Sequence, residues 1–385
     1  MKDTTMAEVT ADHVHDVPAI FCSPLRYTQG PGATRLLGKE MQTLGLEGPV
    51  LVIAGSHAAA ALNGAWKDAF AEVGFAYSVM PFGGESTIAE IDAGEARGRE
   101  VGARSVVGAG GGKVLDTSRA VASRLGVPAV NCPSVATSDA PCSALSIIYN
   151  DAHEMVDYQI YGRNPDLVLV DTALILEAPP RLLTAGMGDA LATMFEAKAA
   201  IQHGSLNTRG GRSTIAAEVI AEACYRTLLS DGALALEAVK AGKSTSHFER
   251  LVEANTLLSG LGFESSGLAA AHAIHNGLTT QEPTHEYYHG EKVSIGLMAQ
   301  LVLEDQPEDV CNEVHAFAAS VGLPMTLQGV GLGAISDADL HVVATRATRE
   351  DETIHNEPFP VTAEMVSKAM READQRGREW LKANA

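Results

Sequence analysis

The sequence predicts an α/β N-terminal half on a parallel, Rossmann-like sheet, followed by an all-helical C-terminal half. Short apolar runs of strand length alternate with helical periodicity as far as about residue 170, and this alternation is typical of parallel α/β sheets. Val50–Ala54 is apolar throughout, as expected of a strand covered on both faces. No strand pattern follows Pro180, so we place a domain boundary near Ala178, between residues 19–178 and 179–385.

The N-terminal half is predicted to contain three helices with the bounds given below, a fourth helix after a glycine cluster, five strands and one hairpin. The helices are 32–44, 58–73 and 88–101, and the strands are 50–54, 76–80, 104–107, 129–131 and 167–170. The hairpin pairs 143–149 with 154–161 around Asn150-Asp151-Ala152. In the C-terminal half, helical periodicity covers 181–202, 213–229, 232–243, 248–259, 268–276, 292–303, 308–321, 336–347 and 363–383.

Composition narrows the function classes. The chain has 385 residues, 46% of them hydrophobic, and a net charge of -20, so it can form sizeable cores but is a poor partner for nucleic acid or an anionic membrane. Its five cysteines contain no C-x-x-C pair, which indicates a reducing cytoplasm. Residues 1–18 are mostly polar and acidic and are predicted to be a disordered extension rather than a signal peptide.

A glycine cluster, Gly110-Gly111-Gly112, follows the strand at 104–107 and precedes a helix. Glycines let backbone N–H groups approach a phosphate, and the positive end of the helix favours the anion. A tight turn without a ligand is the alternative. Lys113 stands where G-x-G-x-x-G requires its last glycine, so the standard dinucleotide fingerprint is only weakly matched.

The residues most indicative of a metal site lie between Gly262 and Val293. Four of the thirteen histidines fall there: His272, His275, His285 and His289. His272 and His275 share one face of an Ala-rich predicted helix that Gly277 is placed to end. Hydrogen-bonded core histidines would be the ordinary interpretation of any one of them, but the clustering favours metal binding.

Far upstream, Asp189 lies in Ala185-Gly186-Met187-Gly188-Asp189 before an apolar helix. Taken alone it would be a helix N-cap. Combined with two imidazoles, its carboxylate completes a borderline donor set that suits zinc, with a fourth coordination position left open.

Over residues 22–358, and most specifically in these two stretches, the chain resembles the glycerol dehydrogenase branch of the iron-containing, or group III, alcohol dehydrogenases. The resemblance implies the dehydroquinate synthase-like architecture and zinc ligands Asp189, His272 and His289. Iron-dependent relatives have another histidine where this chain has Thr193, which favours zinc. It also implies that Asp139 contacts substrate hydroxyls, that Phe263 packs near the carbon skeleton and that His275 lines the site. For Asp139, an Asx-turn before Pro141 is the structural alternative.

The resemblance further assigns a cofactor cleft. Its predicted residues are Gly110, Gly111, Gly112, Lys113, Val114, Leu115, Asp116, Ser134, Val135, Ala136, Thr137, Ser143, Leu145 and Tyr149. Relatives carry an acidic residue after the first strand that excludes NADP, whereas this chain has Gly55. NAD is the expected cofactor, but Ser56 or His57 leaves NADP open.

These expectations describe a cytoplasmic, zinc-dependent oxidoreductase that oxidises glycerol to dihydroxyacetone by hydride transfer to NAD. His275 is the candidate proton relay. The resemblance implies a homo-octamer. The alternatives are a related polyol or 2-hydroxy acid dehydrogenase using NADP, a dehydroquinate synthase-like lyase, and a non-catalytic scaffold.

Overall fold

The computed structural model describes residues 17–150 and 155–384. Its strands in chain order are β1 (Arg26–Gly30), β2 (Val50–Ala54), β3 (Tyr77–Pro81), β4 (Ser105–Gly110), β5 (Ala129–Pro133), β6 (Leu145–Tyr149), β7 (Met155–Ile160) and β8 (Leu167–Asp171). Six of them form one sheet in the order β1-β8-β5-β4-β2-β3, and β6 pairs with β7.

Every pairing in the six-stranded sheet is parallel, which confirms the predicted sheet. The residues of β2, β4 and β8 are all buried, because helices cover both faces of such a sheet. The edge strand β1 was missed. Its sequence, Arg-Tyr-Thr-Gln-Gly, is half-buried and lacks an apolar run, so only its pairing with β8 makes it a strand.

The order in which the chain adds strands to the sheet reverses between β2 and β4. The chain passes from β2 outward to β3 and then returns to pair β4 on the other side of β2. Ligands of open α/β sheets bind at such a switch point, beyond the carboxyl ends of the strands. Gly55 follows β2 and Gly111 follows β4, so both flank this crevice.

The β6–β7 hairpin is antiparallel, as predicted. Residues 151 and 152 of its predicted turn, and residue 154 of its predicted second strand, lie outside the described residues. The disordered extension predicted for residues 1–18 also lies outside them, except for Val17 and Pro18. The carbonyl oxygens of these two accept hydrogen bonds from Arg212 Nε at 2.7 Å and Arg212 N at 3.0 Å, so ordered chain begins before the predicted residue 19.

The helices of the N-terminal half are α1 (Leu37–Thr43), α2 (Ser56–Val73), α3 (Ile88–Glu100), α4 (Gly112–Leu125) and α5 (Thr172–Leu176). The described residues after Pro180 form helices and no strand. These helices are α6 (Pro180–His203), α7 (Ile215–Lys240), α8 (Ser246–Glu253), α9 (Ser259–Ser266), α10 (Ala270–Leu278), α11 (His289–Leu303), α12 (Glu308–Val321), α13 (Asp337–Ala347) and α14 (Ala363–Ala383).

Two glycines lie inside helices, where close packing requires them. Gly232 is in the middle of α7, which joins two helices predicted separately. A Cβ there would lie 2.7 Å from the Phe317 ring. Gly277 lies within α10 rather than ending it, and a Cβ there would lie 2.3 Å from the Val343 carbonyl oxygen. Both glycines serve close packing, which local sequence does not reveal.

The core crosses the boundary predicted near Ala178. Val168 and Val170 of β8 belong to the same buried cluster as Leu191 of α6 and Ile274 of α10. The helical half therefore packs directly against one side of the sheet. Within the described residues, no helix combines the length and apolar composition needed to cross a membrane.

Candidate active site

Three helices bring the predicted metal ligands together. Asp189 lies in α6, His272 in α10 and His289 is the first residue of α11. Asp189 Oδ1 lies 3.3 Å from His272 Nε2 and 3.1 Å from His289 Nε2. One donor atom from each of the three lies within 4.8 Å of the other two.

Glycines explain how the helices approach so closely. A Cβ on Gly290 would lie 1.8 Å from the Ala185 carbonyl oxygen, and one on Gly188 would lie 2.3 Å from the Gly290 carbonyl oxygen. A Cβ on Gly186 would lie 1.9 Å from the Ala136 carbonyl oxygen. The two glycines before Asp189 thus admit the start of α11 and the loop after β5 to the face of α6.

Asp189 is not a helix cap, contrary to the interpretation of that residue taken alone. Helix α6 begins at Pro180, so Asp189 lies inside it and is fully buried. Burial by itself would raise the pKa of this carboxyl, but the His289 and His272 rings outweigh it and lower the pKa far below its usual range. An ionised carboxylate in a buried helix requires charged partners.

The pKa of His272 shifts in the opposite direction. Burial favours the neutral ring, but the Glu196 and Asp189 carboxylates raise its pKa well above the usual value. The carboxylates and the His272 ring are therefore mutually stabilised charges, and the carboxylates favour a positive charge between them.

The donor set fits zinc. Zinc–nitrogen and zinc–oxygen bonds of about 2.0–2.1 Å in a tetrahedron place the donors roughly 3.3 Å apart. The two separations from Asp189 Oδ1, 3.3 and 3.1 Å, match this spacing. The Thr193 hydroxyl lies 2.8 Å from Ser259 Oγ.

Asp139 reaches the same place from the loop after β5. Its backbone N–H donates to Asp189 Oδ2 at 3.2 Å, and its Oδ2 accepts from Ser259 Oγ at 2.7 Å. Burial and the Asp189 carboxylate raise the pKa of Asp139 well above its usual range. The predicted substrate-contacting residue therefore adjoins the metal donors.

The other two predicted catalytic residues differ in what they touch. His275 Nε2 lies 2.9 Å from His289 Nδ1, and His275 Nδ1 lies 3.1 Å from Asn276 Oδ1. Burial and the His289 ring lower the pKa of His275 well below its usual value. Phe263 is buried on α9, the helix that carries Ser259.

Sequence reasoning missed three residues that hold these side chains. Glu196 Oε2 lies 2.6 Å from His272 Nδ1, Ser259 bonds Asp139, and Asn276 Nδ2 donates to Glu352 Oε2 at 2.9 Å. Glu196 left one sequence signal. It follows Asp189 by seven residues on an otherwise apolar stretch, which places both carboxylates on one face of the helix, two turns apart.

The glycine cluster forms the junction of β4 and α4, as predicted. Gly110 ends the strand, Gly111 is the N-cap and Gly112 begins the helix. The helix has no side-chain cap and no acidic residue in its first turn, so nothing there competes with an anion for the backbone N–H groups.

The remaining predicted cofactor residues lie around this junction. Lys113, Val114, Leu115 and Asp116 form the first turns of α4, Ser134, Val135, Ala136 and Thr137 follow β5, and Ser143, Leu145 and Tyr149 lie before or on β6. Lys113 Nζ lies 2.6 Å from Glu85 Oε2 and 5.0 Å from the centroid of the Tyr149 ring.

Asp116 is part of the packing of α4. Its Oδ1 pairs with Arg119 at 2.5 Å, and its carbonyl accepts from Ser146 Oγ at 2.8 Å. Burial raises the pKa of Asp116 to about 6. At the other side of the crevice, Gly55 is the N-cap of α2, whose first turn has no acidic residue.

One short segment joins the glycine junction to the metal donors. A Cβ on Gly111 would lie 3.5 Å from Val135 Cγ2, and one on Gly112 would lie 3.8 Å from Ser138 Oγ. The next residue is Asp139, whose N–H bonds Asp189. A ligand at the junction and an ion between the three helices would therefore be neighbours.

Comparison with known proteins agrees with this geometry. Residues 24–172 match the family described as iron-containing alcohol dehydrogenase. The chain is 48% identical to a glycerol dehydrogenase of Thermotoga maritima over 92% of this chain and 96% of that protein. It is 45% identical to a glycolaldehyde reductase of Halobacterium salinarum over 94% of this chain and 98% of that protein.

A solved structure has the same fold. The crystal structure of glycerol dehydrogenase from Schizosaccharomyces pombe superposes with a TM-score of 0.92 at 36% identity, covering 96% of this chain and 93% of that one.

Proposed function

Because the chain belongs to the iron-containing alcohol dehydrogenase family, we propose that it oxidises glycerol to dihydroxyacetone and accepts related vicinal diols. The observation that carries the proposal is the segment from Ser134 to Asp139, which links the glycine junction to the metal donors. Such a link suits a hydride transfer between a substrate at the metal and a nicotinamide cofactor in the cleft.

Asp189, His272 and His289 would hold the ion, which we propose to be zinc. A divalent ion at these ligands would act as a Lewis acid toward an alcohol or carbonyl group of the substrate. The nitrogen and oxygen donors suit zinc, and Thr193 stands where, by the resemblance, iron-dependent relatives have a further histidine.

The chain's other residues would orient the substrate and handle its proton. Asp139 adjoins the metal donors and would bond neighbouring hydroxyls, which favours a diol over a simple alcohol. Phe263, on the same helix as the Ser259 that holds Asp139, would pack against the carbon skeleton. His275, whose Nε2 lies 2.9 Å from His289 Nδ1, is the candidate residue for relaying the hydroxyl proton of the substrate.

The cofactor would lie at the switch point of the sheet. Backbone N–H groups of Gly111, Gly112 and Lys113 would bind the pyrophosphate at the start of α4. We propose that the cofactor is NAD, as the family resemblance implies. Gly55 stands where relatives carry the acidic residue that would repel a 2′-phosphate. The cytoplasmic location and the octamer remain predictions.

The glycolaldehyde reductase at 45% identity supports a second candidate, the reduction of a small hydroxyaldehyde. This reaction uses the same donors and cofactor in the reverse direction. The substrate would then be an aldehyde, whereas glycerol oxidation yields a ketone. The rate of glycolaldehyde reduction relative to that of glycerol oxidation would separate the two candidates.

The test is a steady-state assay of reduced cofactor on the purified protein. Glycerol, other vicinal diols and a simple alcohol would be tested with NAD and NADP, and glycolaldehyde with NADH and NADPH, before and after treatment with a chelator. We expect NADH from glycerol and diols, loss with the chelator and recovery with Zn²⁺. A rate that is unchanged by the chelator, or a strong preference for NADP over NAD, would contradict the proposal.

A further inference from the structure

We propose that Glu196 is a positioning residue that prepares His272 for the metal, by setting both the backbone and the ring tautomer of that ligand. The inference rests on the metal centre of the proposed function. Glu196 lies in α6, on the Asp189 face, and is fully buried. A charge in such a place needs full compensation, and His272 supplies it.

One carboxylate oxygen meets the ring. Glu196 Oε2 lies 2.6 Å from His272 Nδ1. An ionised carboxylate only accepts hydrogen bonds, so Nδ1 must carry the proton. In the neutral ring Nε2 is then unprotonated, and Nε2 is the atom that lies 3.3 Å from Asp189 Oδ1. The contact therefore presents the lone pair of His272 toward the other donors.

The other oxygen meets the backbone of the same residue. Glu196 Oε1 accepts from the N–H groups of Ala269 and His272, both at 2.9 Å. Helix α10 needs these bonds because its N-cap residue, Ala269, has no side-chain acceptor. A carboxylate at this end of a helix is also stabilised by the helix dipole.

The start of α10 offers a matched comparison. The two N–H groups between those of Ala269 and His272 donate to side chains from other elements. Ala270 N donates to Glu357 Oε1 at 3.0 Å, and Ala271 N donates to Gln300 Oε1 at 2.9 Å. Glu357 is as deeply buried as Glu196. Glu196 is distinguished by its additional bond to the His272 ring.

Glu196→Gln tests the proposal with an isosteric change. The amide oxygen can still accept from the backbone N–H groups, but the amide nitrogen then donates to His272 Nδ1 and moves the ring proton to Nε2. We expect the affinity for Zn²⁺, measured by competition with a chromogenic chelator, to fall roughly 10- to 100-fold. The visible absorption of bound Co²⁺ should change as well.

Two further variants make the result decisive. Glu357→Gln changes a neighbouring cap in the same way without touching the ring, so its Zn²⁺ affinity should remain within about threefold of the parent. Glu196→Asp is shorter but keeps an acceptor-only group, so it should lose less affinity than Glu196→Gln, and it serves if the glutamine variant does not fold.

Equal loss in Glu196→Gln and Glu357→Gln would assign the effect to helix capping and overturn the proposal. Equal loss in Glu196→Asp and Glu196→Gln, or no loss in either, would also overturn it. If the parent protein itself binds no Zn²⁺, the metal centre of the proposed function fails instead, which is a distinguishable result.

Discussion

The metal donors and the glycine junction lie on either side of one short segment and suit ions of opposite charge. The donor cluster is made of side chains from α6, α10 and α11, of which Asp189 is fully buried, and it is held by buried side chains such as Glu196 and Ser259. The glycine junction is made of backbone, and its three glycines offer no side chain. A cation site needs fixed charges and hence supporting partners, whereas an anion site can use N–H groups that the helix leaves unpaired.

The largest effect should follow from His272→Ala. It removes one of three donors, so bound Zn²⁺ should be lost and turnover with glycerol should fall by about 10³-fold or more. Metal content by elemental analysis and the rate of NADH formation are the measurements.

His285→Ala is the matched control for that change. His285 lies in the same stretch, is exposed and only approaches the Thr279 carbonyl at 3.0 Å. The His285→Ala variant should therefore keep both its bound Zn²⁺ and its turnover with glycerol. Full zinc-dependent activity in His272→Ala would show that the ligand assignment is wrong.

A smaller effect is expected at the glycine junction. Gly111 has φ -80° and ψ -177°, which alanine adopts, and its Cβ would meet Val135 only at 3.5 Å. Gly111→Ala should therefore keep its thermal stability but raise the KM for NAD roughly tenfold, the equivalent of about 1.4 kcal/mol. The reason is that the added methyl group occupies the approach to the backbone N–H groups.

Gly64→Ala provides the control for the same substitution. Gly64 is exposed in α2 with nothing within 4 Å of its Cβ position, so the KM for NAD should not change. An unchanged KM in Gly111→Ala as well would place the pyrophosphate elsewhere.

The smallest change per pH unit is expected in the free energy of unfolding, which should depend on a carboxyl group at the start of α10. Burial and the Glu304 carboxyl raise the pKa of Glu357 from 4.5 to about 9. Between these values the folded protein holds a proton that the unfolded chain releases, so the free energy of unfolding should fall as pH rises. One such proton contributes up to about 1.4 kcal/mol per pH unit.

Glu357→Gln removes this proton and should flatten that part of the slope. Urea unfolding of the parent and the variant at several pH values between about 5 and 9 measures it. The variant should gain stability relative to the parent as pH rises. Parallel curves for the two proteins would show that Glu357 does not hold the proton.

The sequence by itself determined the class of fold, and its resemblance to a known family selected the candidate ligands Asp189, His272 and His289. Buried strands such as Val50–Ala54, the glycine cluster before α4 and the spacing of His272 from His275 are local patterns, and local patterns follow from backbone geometry and side-chain periodicity. For the same reason the glycine junction was predicted almost completely, since strand, turn and helix are contiguous there.

Only the tertiary structure decided which residues support the ligands. Ser259 and Asn276 carry no motif, and Glu196 has only its spacing from Asp189. Their roles arise from contacts between segments far apart in sequence. Gly277 was predicted to end its helix because the sequence alone does not distinguish a glycine required for close packing from one required for a turn. Hydrogen bonds and packing act across space, so the residues that orient a site are fixed by the fold rather than by their neighbours in the chain.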